Sequence, residues 1–262
     1  LLHLVRNRLI LSGYELVQDF EELDFCIVGC DLGDKDPTTQ LVQILSNIAF
    51  LHDVPTILLS TGDVYSDRTD TLLVSEDKPM TETRVSVIPY SLDPIYTRAL
   101  FALFVENLFF SKYDLCVLRI FDVYGPSINE GVVHNLIQSA YNKEALKIPS
   151  PGYQTNCYLY EEDFLTCIDK LIIKFLKGAR GIYNIGSNEE ISMKRLAESV
   201  GHMFYKDNNS AVIELYNVNT RNIWWKKPDI TRICALTKWS PSTTIRKGLW
   251  ETIQKWCNNG YY

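Results

Sequence analysis

The sequence is short of the features that usually announce a function. It holds four histidines, His3, His52, His134 and His202, at no ligand spacing. Its seven cysteines, Cys26, Cys30, Cys116, Cys157, Cys167, Cys234 and Cys257, never form the paired CxxC of a zinc site. A metal centre is therefore not expected, and the cysteines read as reduced core thiols in an intracellular, reducing compartment. No run of about 18 uncharged apolar residues occurs. The richest stretch, "ALFALFVENLFF", is cut by Glu106 and Asn107, so membrane insertion is not expected. Basic residues are the minority, 26 against 32 acidic, for a net charge of −6, with a pI near 5.3. That balance argues against a nucleic-acid backbone as partner. Internal repeats, low-complexity segments and a signal-peptide pattern are absent, and the first residue is Leu1 rather than Met, so residues are expected to precede it.

What is present is core material and rhythm. With 262 residues, 46% hydrophobic and 22% charged, the chain can bury a substantial interior. "DFCIVGC" (24 to 30) predicts a buried strand, "TTQLVQILSNIAFLHD" (38 to 53) an amphipathic helix and "VPTILLST" (54 to 61) a second strand. A helix over 93 to 111 and the strand "LCVLRIF" (115 to 121) continue the alternation. The expectation is an α/β fold with a parallel sheet flanked by helices. Further on, "GVVHNLIQSAYNKEAL" predicts a helix, "SPGYQTN" a turn-rich break, and "EEDFLTCIDKLIIKFLKG" a helix ending on Gly178. "GIYNIGS" reads as a strand and turn, Ser192 as the cap of the helix in "ISMKRLAESVGHMFYK", and "PSTTIRKGLWETIQKW" as a final amphipathic helix. Residues 1–126 are expected to form the sheet lobe and 127–262 a smaller α/β lobe, parts of which return to the sheet.

Six words in order carry a resemblance. "LLSTGDVYSD" is similar to the motif SSxxVYGD, "PIYTRAL" stands where PYxxSK would, and "LRIFDVYGP" is close to LRxFNVYGP. "YLYEEDFLTCIDKLI", "GIYNIGSNEEISMKRLAE" and "PDITRICALTKWSPSTTIRKGL" match three later segments. The chain thereby resembles the extended short-chain dehydrogenase/reductase family, the NAD-dependent sugar-nucleotide epimerases and dehydratases. The resemblance implies a Rossmann-like lobe that binds NAD and a second lobe that binds a nucleotide sugar in the cleft. It implies a tyrosine phenolate that takes a proton from a sugar hydroxyl as hydride passes to the nicotinamide. By position Tyr96 takes the tyrosine's place and Thr61 that of the neighbouring hydroxyl. Each also has a plain reading, an ordinary helix-start tyrosine and a strand-end threonine satisfying a turn.

The pattern is broken in several places. The family lysine, four residues after the tyrosine on the same helix face, is Leu100 here. Without a cation, reaching the phenolate at pH 7 costs about 3 units times 1.36, roughly 4 kcal/mol. Arg98 lies about 200° around the helix from Tyr96, and Lys112 about 24 Å along the axis. The fingerprint GxGxxG occurs nowhere in the sequence. "LLHLVRNRLILSGYELVQDF" resembles the first helix and second strand that would follow it, with Gly13 as the helix stop.

Only Glu21, Glu22 and Leu23 separate "YELVQDF" from "DFCIVGC", where the family places a further strand and helix along the adenine pocket. Asp19 is either the acidic residue of the adenosine ribose or a solvated strand-end carboxylate. The family's HLAA is "VGCD" here. On the sugar-nucleotide side Asn156 occupies the place of a diphosphate-clamping arginine, Arg221 is either a second phosphate arginine or a surface residue, and Asp122 replaces an asparagine.

The expectation is a degenerate member of the family, a catalytically inactive homologue that serves as a structural or binding subunit and holds no cofactor. Its partner, another protein or a second copy, would meet the apolar 95–111 helix, which in the family packs between subunits; burial within the monomer is the equal alternative. A nucleotide sugar remains a possible ligand. The alternative is an active nucleotide-sugar epimerase, dehydratase or reductase using NAD(P).

Overall fold

A computed structural model describes residues 1–15, 24–29, 54–65, 94–110, 114–205, 211–217 and 225–258; of residues 94–100, 110, 225 and 226 it describes the backbone alone. Helix α1 (Leu2–Leu11) closes through Ser12 and Gly13, whose φ of 87° suits glycine alone without strain. Strands β1 (Cys26–Gly29) and β2 (Thr56–Thr61) follow, the latter running into a 3-10 turn over Gly62–Tyr65. Helix α2 (Pro94–Phe110) starts on a proline, whose missing N–H is harmless in a first turn, and leads to β3 (Leu115–Ile120) and β4 (Val123–Tyr124).

Next come α3 (Gly131–Tyr141), β5 (Leu146–Pro149), β6 (Thr155–Cys157), β7 (Leu159–Tyr160) and α4 (Glu161–Phe175). The chain continues with β8 (Gly181–Ile185), β9 (Glu190–Ser192), α5 (Met193–Phe204) and β10 (Ile213–Tyr216). It finishes with β11 (Trp225–Lys226), α6 (Thr231–Thr237) and α7 (Ile245–Asn258).

The central sheet is parallel, in the order β1-β2-β3-β8. Its middle strands are buried almost end to end, which is why "TILLST" and "LCVLRI" are continuous apolar runs rather than alternating ones. On one face Ile57, Leu59, Cys116, Leu118 and Ile185 pack with Val5 and Leu9 of α1, with Phe164, Ile168 and Phe175 of α4, and with Ile233 of α6. On the other face Leu58, Leu115 and Val117 receive Phe101, Val105 and Phe109 of α2. A second core joins α3, β5, α5 and α7 through Leu136, Ile137, Leu146, Ile148, Leu196, Val200, Leu249 and Ile253. Asp163 at the start of α4 accepts hydrogen bonds from the Ser242 and Thr243 backbone and the Ser242 hydroxyl, fixing the approach to α7.

The α/β class with a parallel sheet and flanking helices is as the alternation implied. One helix is shorter than expected: the segment read as helical through Leu146 stops at Tyr141. Asn142 and Lys143 turn the chain, Lys143 at φ 59°, and Leu146 and Ile148 point inward with Lys147 between them, a period of two that belongs to β5. The last two residues of the turn-rich break, Thr155 and Asn156, belong to strand β6. The helix expected over 38–53 and most of "YELVQDF" lie outside the described residues. Among the described residues no helix is long and apolar enough to cross a membrane, and no group of His, Cys, Asp and Glu is placed to hold a metal ion. Cys26, Cys116, Cys157, Cys167, Cys234 and Cys257 are free thiols.

Candidate active site

The carboxyl ends of β2, β3 and β8 lie side by side, at the edge where open parallel sheets place their ligands. Thr61 closes β2, half-buried, and its hydroxyl oxygen accepts the Asp63 N–H at 3.1 Å, so the side chain shapes the turn into Gly62–Tyr65. Gly62 is obligatory there, because a Cβ would lie 2.9 Å from the Phe121 ring. Val64 and Tyr65 of the turn pack with Ala102 of α2, which draws that helix along the end of β2. Tyr96 stands in the first turn of α2 and Leu100 one turn further on. The fold therefore brings the threonine strand end and the tyrosine helix together as elements.

Just past β3, Asn156 of β6 donates from Nδ2 to Asp122 Oδ2 at 2.6 Å, and its Oδ1 accepts the Cys157 N–H at 2.9 Å. Asp122 follows β3, and its carbonyl accepts from Leu159 N–H at 2.8 Å. The two positions at which the resemblance places an asparagine and an arginine are thus hydrogen-bonded to each other. Burial pushes the Cys157 thiol beside them up to about 12, which removes it as a nucleophile near neutrality. Asp19 and Arg221 lie outside the described residues.

Motif reading passed over a buried ion pair between α2 and β3. Arg119 of β3 meets Glu106 of α2 at 2.6 Å, both side chains 3% exposed. The signal was present: one acid in an apolar helix and one base in an apolar strand can both be buried only as partners. Burial opposes the guanidinium charge, but the hydrogen bonds and charge of Glu106 outweigh it and raise the Arg119 pKa.

The chain matches the NAD dependent epimerase/dehydratase family over residues 33–186. It belongs to that family. UDP-glucuronic acid decarboxylase 6 of Arabidopsis thaliana is 28% identical over 205 residues, 74% of this chain and 54% of the relative. UDP-N-acetyl-alpha-D-glucosaminuronate decarboxylase of Bacillus cytotoxicus is 26% identical over 145 residues, 53% of this chain and 44% of the relative. The chain thus spans about half the length of these relatives.

Among solved structures, UDP-glucuronic acid 4-epimerase from Bacillus cereus in complex with NAD superposes with a TM-score of 0.69 at 19% identity, over 95% of this chain and 72% of the other. The dTDP-glucose 4,6-dehydratase of Bacillus anthracis in complex with NAD gives 0.66 at 21% identity, over 84% and 66%. These likenesses are of fold.

The family's description names NAD, and one place in the structure tests the fit. The helix position one turn past Tyr96 carries an aliphatic residue and supplies no charge. The described residues therefore do not fit a nicotinamide poised for hydride transfer.

Proposed function

We propose that this family member is noncatalytic in hydride transfer and acts as a binding or structural subunit of a larger assembly. The observation that carries the reading is Leu100. The helix is regular from Pro94 to Phe110, so position 100 lies on the same face as Tyr96 and no bulge lets a different residue take that place. An unassisted phenol near 10 is costly to ionise at neutral pH, by about 4 kcal/mol. The Asp122–Asn156 hydrogen bond supports the same reading, since it occupies the two polar side chains with each other. The partner surface in this reading is the outward side of α2, where Phe104 is half exposed.

A second reading, an active NAD(P)-dependent enzyme on a nucleotide sugar, is favoured by Thr61, which closes β2 beside the helix that bears Tyr96. The two are separated by incubating the full chain with NAD and UDP-glucuronic acid, the sugar nucleotide named in the first relative. Product formation would be followed by chromatography, and NADH binding by fluorescence. The expected outcome is no conversion, with or without dinucleotide binding. Conversion that is abolished by Tyr96→Phe would overturn the noncatalytic reading.

A further inference from the structure

One row of the sheet is polar and buried across three strands. Ser60, Arg119 and Asn184 stand in register across β2, β3 and β8, with 5%, 2% and 0% exposure. Glu106 of α2 comes down on this row. Its Oε1 accepts from the Ser60 hydroxyl at 2.6 Å and from Arg119 Nε at 3.1 Å, and its Oε2 accepts from Arg119 Nη2 at 2.6 Å. Tyr65, on the turn after β2, accepts from Arg119 Nη1 at 2.9 Å and donates to Asn184 Oδ1 at 2.9 Å. Asn184 Nδ2 in turn donates to the Asp229 carbonyl at 3.2 Å. The guanidinium also lies 5.1 Å from the centre of the Tyr65 ring.

The apolar side of the same contact is poorly specific. Between Ala99 and Phe110 the helix repeats the pair Leu-Phe three times, at 100–101, 103–104 and 108–109, and Glu106 is the one charged residue of that stretch. A helix of leucine and phenylalanine over strands of leucine, isoleucine and valine can slide or roll and bury a similar area. A carboxylate that must meet one serine and one guanidinium cannot, because any displaced register leaves two buried charges unpaired.

We propose that Glu106 and Arg119 are positioning residues that set the axial register and rotation of α2 on the sheet. Ser60 is the neighbour of Thr61 in β2, and Tyr96 lies ten residues up the helix from Glu106, about 15 Å along its axis. The pair therefore fixes where the tyrosine turn of α2 stands relative to the threonine end of β2. This holds whichever of the two functional readings applies, so its test does not depend on activity.

The test replaces the pair by apolar groups of similar volume, Glu106→Leu with Arg119→Met, and compares crystal structures after superposing β2, β3 and β8. The expected result is a protein that unfolds cooperatively in urea but has α2 shifted by a residue step or more, about 1.5 Å along or 100° around its axis. Glu106→Gln alone, which keeps the shape and one of the two acceptor oxygens, is expected to leave α2 at the wild-type position. A folded double variant with α2 in place, Phe101, Val105 and Phe109 in their original pockets, would overturn the proposal.

Should the double variant not fold, Ser60→Ala with Tyr65→Phe removes the neutral hydrogen bonds while leaving the ion pair. The wild-type position of α2 is then the supporting result, because the pair alone holds it. Displacement of α2 would overturn the proposal by placing its register in the neutral hydrogen bonds instead.

Discussion

Glu161, the first residue of α4, is 7% exposed and turns its carboxylate to the loop after β4, where Ser127 donates its N–H at 2.9 Å and its hydroxyl at 3.2 Å. Gly125 makes room for it, since a Cβ there would collide with the glutamate side chain. Burial raises the Glu161 pKa; the Ser127 hydrogen bonds and Lys255 oppose that rise, and Glu162 adds to it. A carboxyl that titrates higher in the folded than in the unfolded state binds its proton more readily when folded. Its contribution to stability is present below the unfolded value, near 4.3, and is lost as pH rises through the raised folded value. Glu161→Gln retains an oxygen for the Ser127 N–H and removes the titration. The variant is expected to gain melting temperature over wild type at pH 8 and to lose that gain at pH 4, measured by calorimetry at both values. A difference that does not change with pH would show that ionisation of Glu161 has no part in folding.

At the scale of elements, helix ends are decided by local chemistry. Ser192 accepts the Arg195 N–H at 3.3 Å and starts α5 as its sequence implied. Ser192→Ala is expected to cost about 1 kcal/mol, read as a lower urea midpoint with an unchanged slope. Caps and continuous apolar strands were legible because they depend on neighbours in sequence, as Gly13, Ser192, "TILLST" and "LCVLRI" show. Strands β4, β6, β7, β9 and β11, of two or three residues, were not, because so short a segment carries no period. Thr61, Asn156 and Asp122 were found by motif position, yet the bond between Asn156 and Asp122 follows from where β6 meets the end of β3, across 34 residues. The polar row at Ser60, Arg119 and Asn184 was hidden for the same reason: register between strands is a property of the sheet, not of any one strand.

For the whole molecule the open question is what covers α2. Its inner side is spent on the sheet, with Ala102 and Val105 at 0% and Phe109 at 1% exposure, yet Phe104 is 50% exposed and Leu103 and Leu108 are only partly covered. The helix has 17 residues and a length of about 25 Å, enough to serve as one arm of an interface of about 800 Å² per partner. A second copy is the simplest occupant for a proposed subunit, since an isologous contact brings the same apolar stripe from both sides. Light scattering behind a sizing column is expected to give a dimer for the full chain at micromolar concentration. Phe104→Lys should give a monomer, because a half-exposed side chain tolerates a charge in the free protein while the interface would have to bury it unpaired. A melting temperature within a few degrees of wild type would confirm that the variant is folded. A wild-type monomer would rule out self-association through this face, and a dimer that survives Phe104→Lys would place the contact elsewhere on the molecule.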